Sequence, residues 1–350
     1  GIADMSYSWR PSGLFEKISV GINGMRFSSN AATDTNQNKK FESFSKIVPF
    51  IRLDFKKKDP RSTTEKWLEF KSFLINENNF DAFVLSSVDS NLHPLTMNFT
   101  HRYLNELSFN IMNYRVLSPY SLQLQFQQDN IFYRFNATAN YFFNYGTKGG
   151  MNVRFFAAKF GFWGSDHGSD IGRYQPKLLG TTGEEDYTYG NYFVGRTASY
   201  ALEKESIKNE GIAAQQIMIR DGGLKMRIDQ YDFVQGRSDN WVAALNFNST
   251  LPNHLFPIDL PIRLFFDFGT YAEAWQSNPP TNKFLYVGGF QLTLFKNILN
   301  VYFPLIYSSD FSDQLKTIPD QNTFWKRITF SIDVQNFNFK KQMHDLINAH

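Results

Sequence analysis

The chain has 350 residues, a formal net charge of +3 and no cysteine. The missing thiols exclude disulfides, thiolate metal sites and cysteine nucleophiles, and the balanced charge argues against a nucleic-acid partner. Aromatic residues make up 17% of the chain, yet the mean hydropathy is only −0.39 and no apolar run reaches the length of a membrane-spanning helix. This combination is typical of a β-barrel, because half of each strand faces water, although a soluble β-sandwich fits the composition as well.

Strand patterns follow one another from residue 16 onward, separated by clusters of Gly, Pro, Asn and Asp. We therefore predict an all-β fold, a transmembrane antiparallel β-barrel of about 14 strands within a range of about 12 to 16. In chain order, the predicted strands cover residues 16–27, 44–57, 66–76, 97–113, 120–127, 133–143, 151–161, 213–220, 224–229, 241–249, 261–271, 285–295, 299–308 and 327–335.

Three of these segments show the alternation most clearly. Between 120 and 127, Tyr, Leu, Leu and Phe alternate with Ser and three Gln, which predicts a wet lumen. Between 133 and 143, one face has aromatic residues at both ends and Ala between them, as aromatic girdles at two membrane interfaces would produce. In 327–335, apolar and polar side chains also alternate without a break. The predicted lipid-facing side chains include Leu122, Leu124, Phe135, Ile328, Phe330 and Ile332.

Residues 161–211 break this rhythm, since they are rich in Gly and charge and are too long for a turn. We assign them, with Tyr187 to Arg196, to one long extracellular loop, because an even strand number then places the short turns together on the periplasmic side. We expect the loop to fold over or into the lumen, with Arg196 reaching a carboxylate such as Asp229 or Asp267. The predicted organisation is a single barrel domain over 1–337 and a C-terminal tail over 338–350.

Charged side chains on the polar faces of the predicted strands form a candidate lumen site. They suit either a selectivity lining or a salt-bridge network that plugs the barrel, and we favour the network because the two signs are mixed and closely spaced. The residues are Arg52, Asp54, Arg154, Arg227, Asp229, Arg263, Asp267 and Asp333.

Several stretches resemble known outer-membrane barrels. Leu-Pro-Ile-Arg-Leu-Phe-Phe-Asp-Phe-Gly at 260–269, the segments 287–292 and 299–305, and the last strand are similar to the bacterial surface-antigen superfamily of assembly barrels. A closer resemblance is to the barrel that is fused behind gluzincin (thermolysin-like) aminopeptidase domains in some outer-membrane proteins. It is carried by residues 149–160, 221–225 and 270–275. The resemblance implies a location in the bacterial outer membrane, contact with outer-membrane lipid or lipopolysaccharide, and a fused or partner periplasmic or surface protein.

The chain departs from both families at the residues that would carry activity. No histidine lies in a His-Glu-x-x-His motif, so any peptidase chemistry would lie outside this chain, and Val194-Gly195-Arg196 reverses the Arg-Gly pair of the assembly family. We predict no catalytic residue, no metal ligand, no cofactor and no nucleic-acid partner. The expected function is a membrane anchor and plugged channel for a fused or partner domain, with a surface-antigen-type assembly or secretion pore as the alternative.

Overall fold

The computed structural model describes thirteen ranges of the chain, which together contain every strand discussed below. These ranges are residues 2–33, 39–78, 81–85, 92–96, 100–146, 149–164, 174–180, 188, 215–227, 236–251, 261–295, 298–317 and 323–333.

Strands make up almost all of the regular secondary structure of the described residues. Thirteen strands are hydrogen-bonded into one antiparallel sheet in their order along the chain, and two short strands, β5 and β6, form a separate hairpin. The strands are β1 (Ile2–Trp9), β2 (Phe15–Thr33), β3 (Lys39–Phe55), β4 (Thr64–Asn78), β5 (Asp81–Leu85), β6 (Leu92–Thr96), β7 (Thr100–Asn113), β8 (Tyr120–Gln128), β9 (Phe132–Asn144), β10 (Gly150–Phe162), β11 (Trp241–Thr250), β12 (Ile262–Tyr271), β13 (Leu285–Leu294), β14 (Leu299–Tyr307) and β15 (Thr329–Ile332).

Helical structure is confined to short pieces near the end of the chain. A 3₁₀ turn covers Ala272–Trp275, α1 covers Ser309–Thr317 and α2 covers Phe324–Arg327. Within the described ranges, no helix is both long and apolar enough to cross a membrane.

The predicted all-β antiparallel architecture is confirmed, and thirteen strands in the sheet fall within the expected range. Twelve of the predicted segments correspond to strands β2–β4 and β7–β15. Strand β1 was missed, although Met5, Tyr7 and Trp9 alternate there with Ser6 and Ser8. The hairpin of β5 and β6 lies in a stretch that was predicted to be a long connection between strands.

The two predicted strands at 213–220 and 224–229 are wrong over their described residues, 215–227. Only isolated bridges form there, with Gln216 beside Phe330 and Leu224 beside Leu179. Every residue from 221 to 226 is buried, so both sides of this segment are covered. The alternation of Leu224 and Met226 with charged residues therefore does not mark a strand with one wet and one dry face.

The last strand is shorter than its alternation predicts, because Phe324–Arg327 forms the helical turn α2. The side-chain amide of Gln215 donates to the carbonyls of Trp325 and Lys326 at 3.3 and 2.7 Å. Within β15, polar and apolar residues do alternate between two faces. Thr329 lies opposite the buried Tyr302 of β14 on one face, and Phe330 lies opposite Val301 on the other. However, Phe330 and Ile328 are buried rather than exposed, and Ile328 lies outside the strand.

The contacts divide the chain into two compact units. The first contains β1–β8 and the start of β9. Its strands carry exposed apolar side chains on one face, among them Ile51, Phe70 and Leu107. The opposite face buries polar groups such as Glu106 and Ser108. This distribution is the reverse of a soluble sheet, which buries its apolar face.

The second unit contains most of β10, the strands β11–β15 and the segments 174–180, 215–227 and 236–240, which we call the inner segments. On β12, Leu264 and Phe266 are exposed, whereas Phe265, Asp267 and Tyr271 are buried on the other face. We call these the open face and the covered face. The inner segments pack on the covered face, where Leu178, Leu224 and Met226 join one core with side chains of the sheet. Those sheet side chains include Phe156, Val242, Ala244, Phe265, Val287 and Tyr302.

Two glycines permit the close packing of the inner segments. A Cβ at Gly222 would lie 2.5 Å from Leu178 Cα, and a Cβ at Gly269 on β12 would lie 2.4 Å from a methyl carbon of Leu178. Gly222 lies against the backbone of Leu178, and Gly269 lies against its buried side chain. A larger residue at either position would have to displace Leu178.

We expect Gly222→Ala to lower the free energy of unfolding by about 1–3 kcal/mol, because the added methyl group must displace the backbone at Leu178. A urea titration of the refolded chain measures this loss. Gly164→Ala is the matched control, since a Cβ there has no atom within 4 Å. Equal unfolding midpoints for the two variants would contradict the packing described.

Candidate functional site

The inner segments are joined to one another by backbone hydrogen bonds. The amide of Leu178 donates to the carbonyl of Gly236 at 2.7 Å, and the amide of Leu224 donates to the carbonyl of Leu178 at 2.8 Å. A further bond runs from the amide of Gly222 to the carbonyl of Lys177 at 2.8 Å. Residues 174–180 thus lie between 236–238 and 222–224, and the three form one layer over the covered face.

A buried ion pair attaches this layer to the sheet. Lys225 Nζ lies 2.7 and 3.0 Å from the two carboxylate oxygens of Asp267 on β12, and the amide of Lys225 also donates to Asp267 at 3.2 Å. Asp267 is 0% exposed and Lys225 is 4% exposed. The ammonium group also lies 5.1 Å from the ring centre of Phe265 and 5.8 Å from that of Tyr302. Neither charge reaches water, so each depends on the other for stabilisation.

Asn246 on β11 connects this ion pair to two further groups. Its side-chain amide donates to Asp267 Oδ1 at 3.1 Å and to the carbonyl of Gly222 at 2.9 Å. Its carbonyl oxygen accepts a hydrogen bond from Arg154 on β10 at 2.9 Å. Arg154 interacts electrostatically with the carboxylates of both Asp221 and Asp267. The sheet therefore holds the turn at 221–223 through a network of two cations, two carboxylates and one amide.

The layer is also attached to β15. The hydroxyl of Thr329 donates to the carbonyl of Lys225 at 3.2 Å, and the amide of Ile217 donates to the carbonyl of Phe330 at 2.7 Å. Segment 215–227 is consequently held at β12 through Lys225 and at β15 through Ile217 and Lys225.

A third attachment involves Glu273, in the 3₁₀ turn that follows β12. Its carboxylate accepts a hydrogen bond from the hydroxyl of Ser238 at 3.0 Å and another from the amide of Asp239 at 3.3 Å. Burial raises the pKa of Glu273 above its ordinary value, and the hydrogen bond from Ser238 partly opposes this shift. Glu273 thus fixes residues 238–239 at the point where β11 begins.

The site is suited to holding a chain segment rather than to chemistry. Its charged groups are directed at one another and at backbone amides of the inner segments, and a general acid or base would need to face a substrate. In the part of the chain that the structure describes, no three His, Asp or Glu side chains lie together in a way that could hold a metal ion.

The residues predicted for the lumen site are found in several places. Arg154 and Asp267 lie together through Asn246, and in the first unit Arg52 contacts Asp54 at 2.8 Å. No ion pair joins Arg263 to another described residue. Asp333 follows β15 and its amide donates to the carbonyl of Ile298, and Arg227 ends segment 215–227. Asp229 and Arg196 lie outside the described residues.

The first unit has a polar ladder across its buried face that was not singled out from sequence. Lys71 on β4 lies 2.6 Å from Glu69 and 3.8 Å from Glu106 on β7. Gln127 on β8 donates to Glu106 at 2.6 Å and accepts a hydrogen bond from Arg134 on β9 at 2.8 Å. The alternation in sequence places Gln127 and Arg134 on the polar faces of their strands, and this pattern could have identified them as members of the ladder.

Sequence reasoning also missed Lys225 and Asn246. Lys225 lies in the alternating stretch 224–229 and so was visible as a polar-face residue. Its partner Asp267 was selected, but 42 residues separate the two positions, and no local pattern pairs them. Arg196 was expected to reach a carboxylate such as Asp229 or Asp267, and of these residues only Asp267 is described. The structure places Lys225 there.

No protein-family model matches the chain, and no curated protein matches it either. Among solved structures, CdiB from Acinetobacter baumannii is 11% identical, with a TM-score of 0.40, over 87% of this chain and 46% of that one. BamA from Haemophilus ducreyi lacking POTRA domains 1-3 is also 11% identical, with a TM-score of 0.44, over 88% of this chain and 59% of that one. The chain thus spans about half the length of these proteins, and similarities at this level carry no functional argument.

We expect Lys225→Met to lower the free energy of unfolding by about 3–5 kcal/mol, because it leaves the Asp267 carboxylate buried without its cation. Adding Asp267→Asn should recover a large part of this loss. Denaturant titrations of the single and double variants measure the coupling between the two residues.

Lys316→Met is the matched control for this cycle. Lys316 contacts Asp313 at 2.8 Å in an exposed pair on α1, so its replacement should change stability by less than about 1 kcal/mol. Similar losses at Lys225 and Lys316 would show that the Lys225–Asp267 pair does not hold the layer.

Proposed function

We propose that the chain forms a β-barrel in the bacterial outer membrane, with the inner segments of its second unit closing the interior. In this role it anchors, and provides an occluded channel for, a fused or partner domain. The observation that carries the proposal is the reversed burial of the sheet, which exposes apolar side chains and buries charged ones.

The open face of the second unit supports a lipid environment. Leu264 is 42% exposed, and its cross-strand neighbour Phe290 and the adjacent Phe266 are exposed to a similar degree. In water such a face would favour aggregation, whereas in a bilayer it is the stable arrangement. On the other face, Asp267 and Gln291 are buried. The buried charge of β12 therefore lies away from the open face.

The attachments of the inner segments support an occluded interior. Opening a path along the covered face would require Lys225 to leave Asp267, and the buried carboxylate would lose its cation. It would also break the bonds from Asn246 to Gly222 and from Thr329 to Lys225. Such a layer is suited to a closed resting state.

A surface-antigen-type assembly or secretion pore is the second candidate, and the resemblance of residues 260–269 to that superfamily favours it. The two candidates share the barrel and differ in whether the inner segments move during function. Association with a gluzincin peptidase stays a prediction, since it concerns a domain outside this chain.

Replacing a side chain on the open face tests the membrane assignment. We expect Leu264→Arg to destabilise the chain folded in lipid vesicles by about 2–4 kcal/mol if the residue lies near the bilayer midplane. The matched control is Phe295→Arg, at the exposed turn that follows β13, where the cost should be about 0–1 kcal/mol. Equal costs at the two positions would contradict a lipid-facing open face.

Conductance in planar bilayers tests the occlusion. We expect the intact chain to show small conductance, because the inner segments fill the covered face. Replacing residues 174–227 with a short Gly-Ser linker should raise it. Lys225→Arg keeps the cation and serves as the closed control. A large conductance of the intact chain would favour an open pore.

A further inference from the structure

Three turns of the first unit form a continuous edge. They connect β1 to β2 (residues 10–14), β3 to β4 (56–63) and β7 to β8 (114–119). The amide of Lys56 donates to the carbonyl of Leu14, and the amide of Tyr114 donates to the carbonyl of Thr63, each at 3.1 Å. We call these three neighbouring turns the basic rim.

The basic rim carries unpaired positive charge. Arg10, Lys56, Lys58 and Arg61 are exposed, and none of them forms a side-chain ion pair with a described residue. The carboxylate of Asp59 accepts a hydrogen bond from the backbone amide of Arg61 at 2.9 Å, so it is engaged in the turn itself. Lys57 and Arg115 differ from the four, because they bond to Glu65 and Asn113. The rim therefore presents four exposed cations against the single carboxylate of Asp59, and none of the four is ion-paired with a described residue.

Large apolar side chains lie among these cations. Val116 is 92% exposed, and Leu117 and Leu14 are each 67% exposed. Side chains of this kind on turn tips, mixed with Lys and Arg, suit the boundary between lipid headgroups and acyl chains.

An aromatic cluster places this boundary next to the rim. The rings of Phe15 and Phe55 lie 5.2 Å apart, and those of Phe55 and Phe109 lie 6.4 Å apart. Phe55 and Phe109 share the open side of the sheet with Ile51 and Leu107, by their spacing along β3 and β7. In membrane barrels, girdles of aromatic residues flank the apolar band at both interfaces. Because Lys56 directly follows Phe55, the basic rim lies at headgroup level.

We propose that the basic rim binds the phosphate groups of anionic phospholipids in the leaflet that it faces. This inference rests on the proposed membrane function. The rim's unpaired cations complement the phosphodiester charge, while Val116, Leu117 and Leu14 enter the acyl boundary. An acidic soluble protein would match the charge, but the exposed apolar tips and the aromatic cluster favour lipid.

The test uses the full chain in vesicles of phosphatidylcholine alone and of phosphatidylcholine mixed with phosphatidylglycerol. Lipids retained after mild detergent extraction are counted by native mass spectrometry. We expect phosphatidylglycerol to be retained over phosphatidylcholine by about tenfold at low salt, and less at high salt, because screening weakens the attraction. The triple variant K56Q/K58Q/R61Q should reduce this preference to about twofold.

The matched control is K283Q/K316Q/K326Q, which removes the same charge from the second unit and should keep the preference. Equal losses in the two triple variants would overturn the assignment to the rim. Insertion into both vesicles without any phosphatidylglycerol preference would overturn the inference and leave the membrane function standing, whereas failure to insert into either would overturn the membrane function itself. Binding of a polyglutamate peptide in place of lipid would assign the rim to an acidic protein and also overturn the inference.

Discussion

The arrangement of the second unit depends on one desolvated ion pair, Lys225 with Asp267. Two charges without access to water are costly unless they are matched closely, and here the carboxylate also receives bonds from Asn246 and from the amide of Lys225. The pair joins a non-strand segment to the middle of β12. The glycines at 222 and 269 follow from this constraint, because they allow the layer to approach the sheet closely enough for the contact to form.

The two faces of the sheet divide the physical roles of the chain. One face carries exposed apolar side chains, and the other collects charges, amides and hydroxyls that bond to one another, joined in the second unit by apolar side chains that pack on the inner segments. In the first unit this gives the ladder from Lys71 to Arg134, and in the second it gives the site around Asp267. Strands of both units expose an apolar face that a soluble protein would bury, so one environmental constraint accounts for that face in both units.

Much of the fold follows from local alternation, and the site does not. Strands β8 and β9 were predicted closely, because their faces meet different surroundings and the period of two is therefore kept. The same rule failed at 215–227, where both sides are buried and the period of two carries no information about strand pairing. Asp267 was selected because it falls on the polar face of its predicted strand. Its partner Lys225 was not identified, because a contact over 42 residues is decided by packing of the inner segments.

The central claim is that the open face meets lipid while the covered face is closed by the chain's own segments. The chain has no cysteine, so single cysteines can be introduced without background and spin-labelled in vesicles. Labels at 264, 266 and 290 should be accessible to oxygen dissolved in the bilayer and inaccessible to a water-soluble nickel complex. Labels at 263 and 291, on the other face, should show low accessibility to oxygen. Access of the nickel complex to 264, 266 and 290 would contradict the account, since the open face would then lie in water.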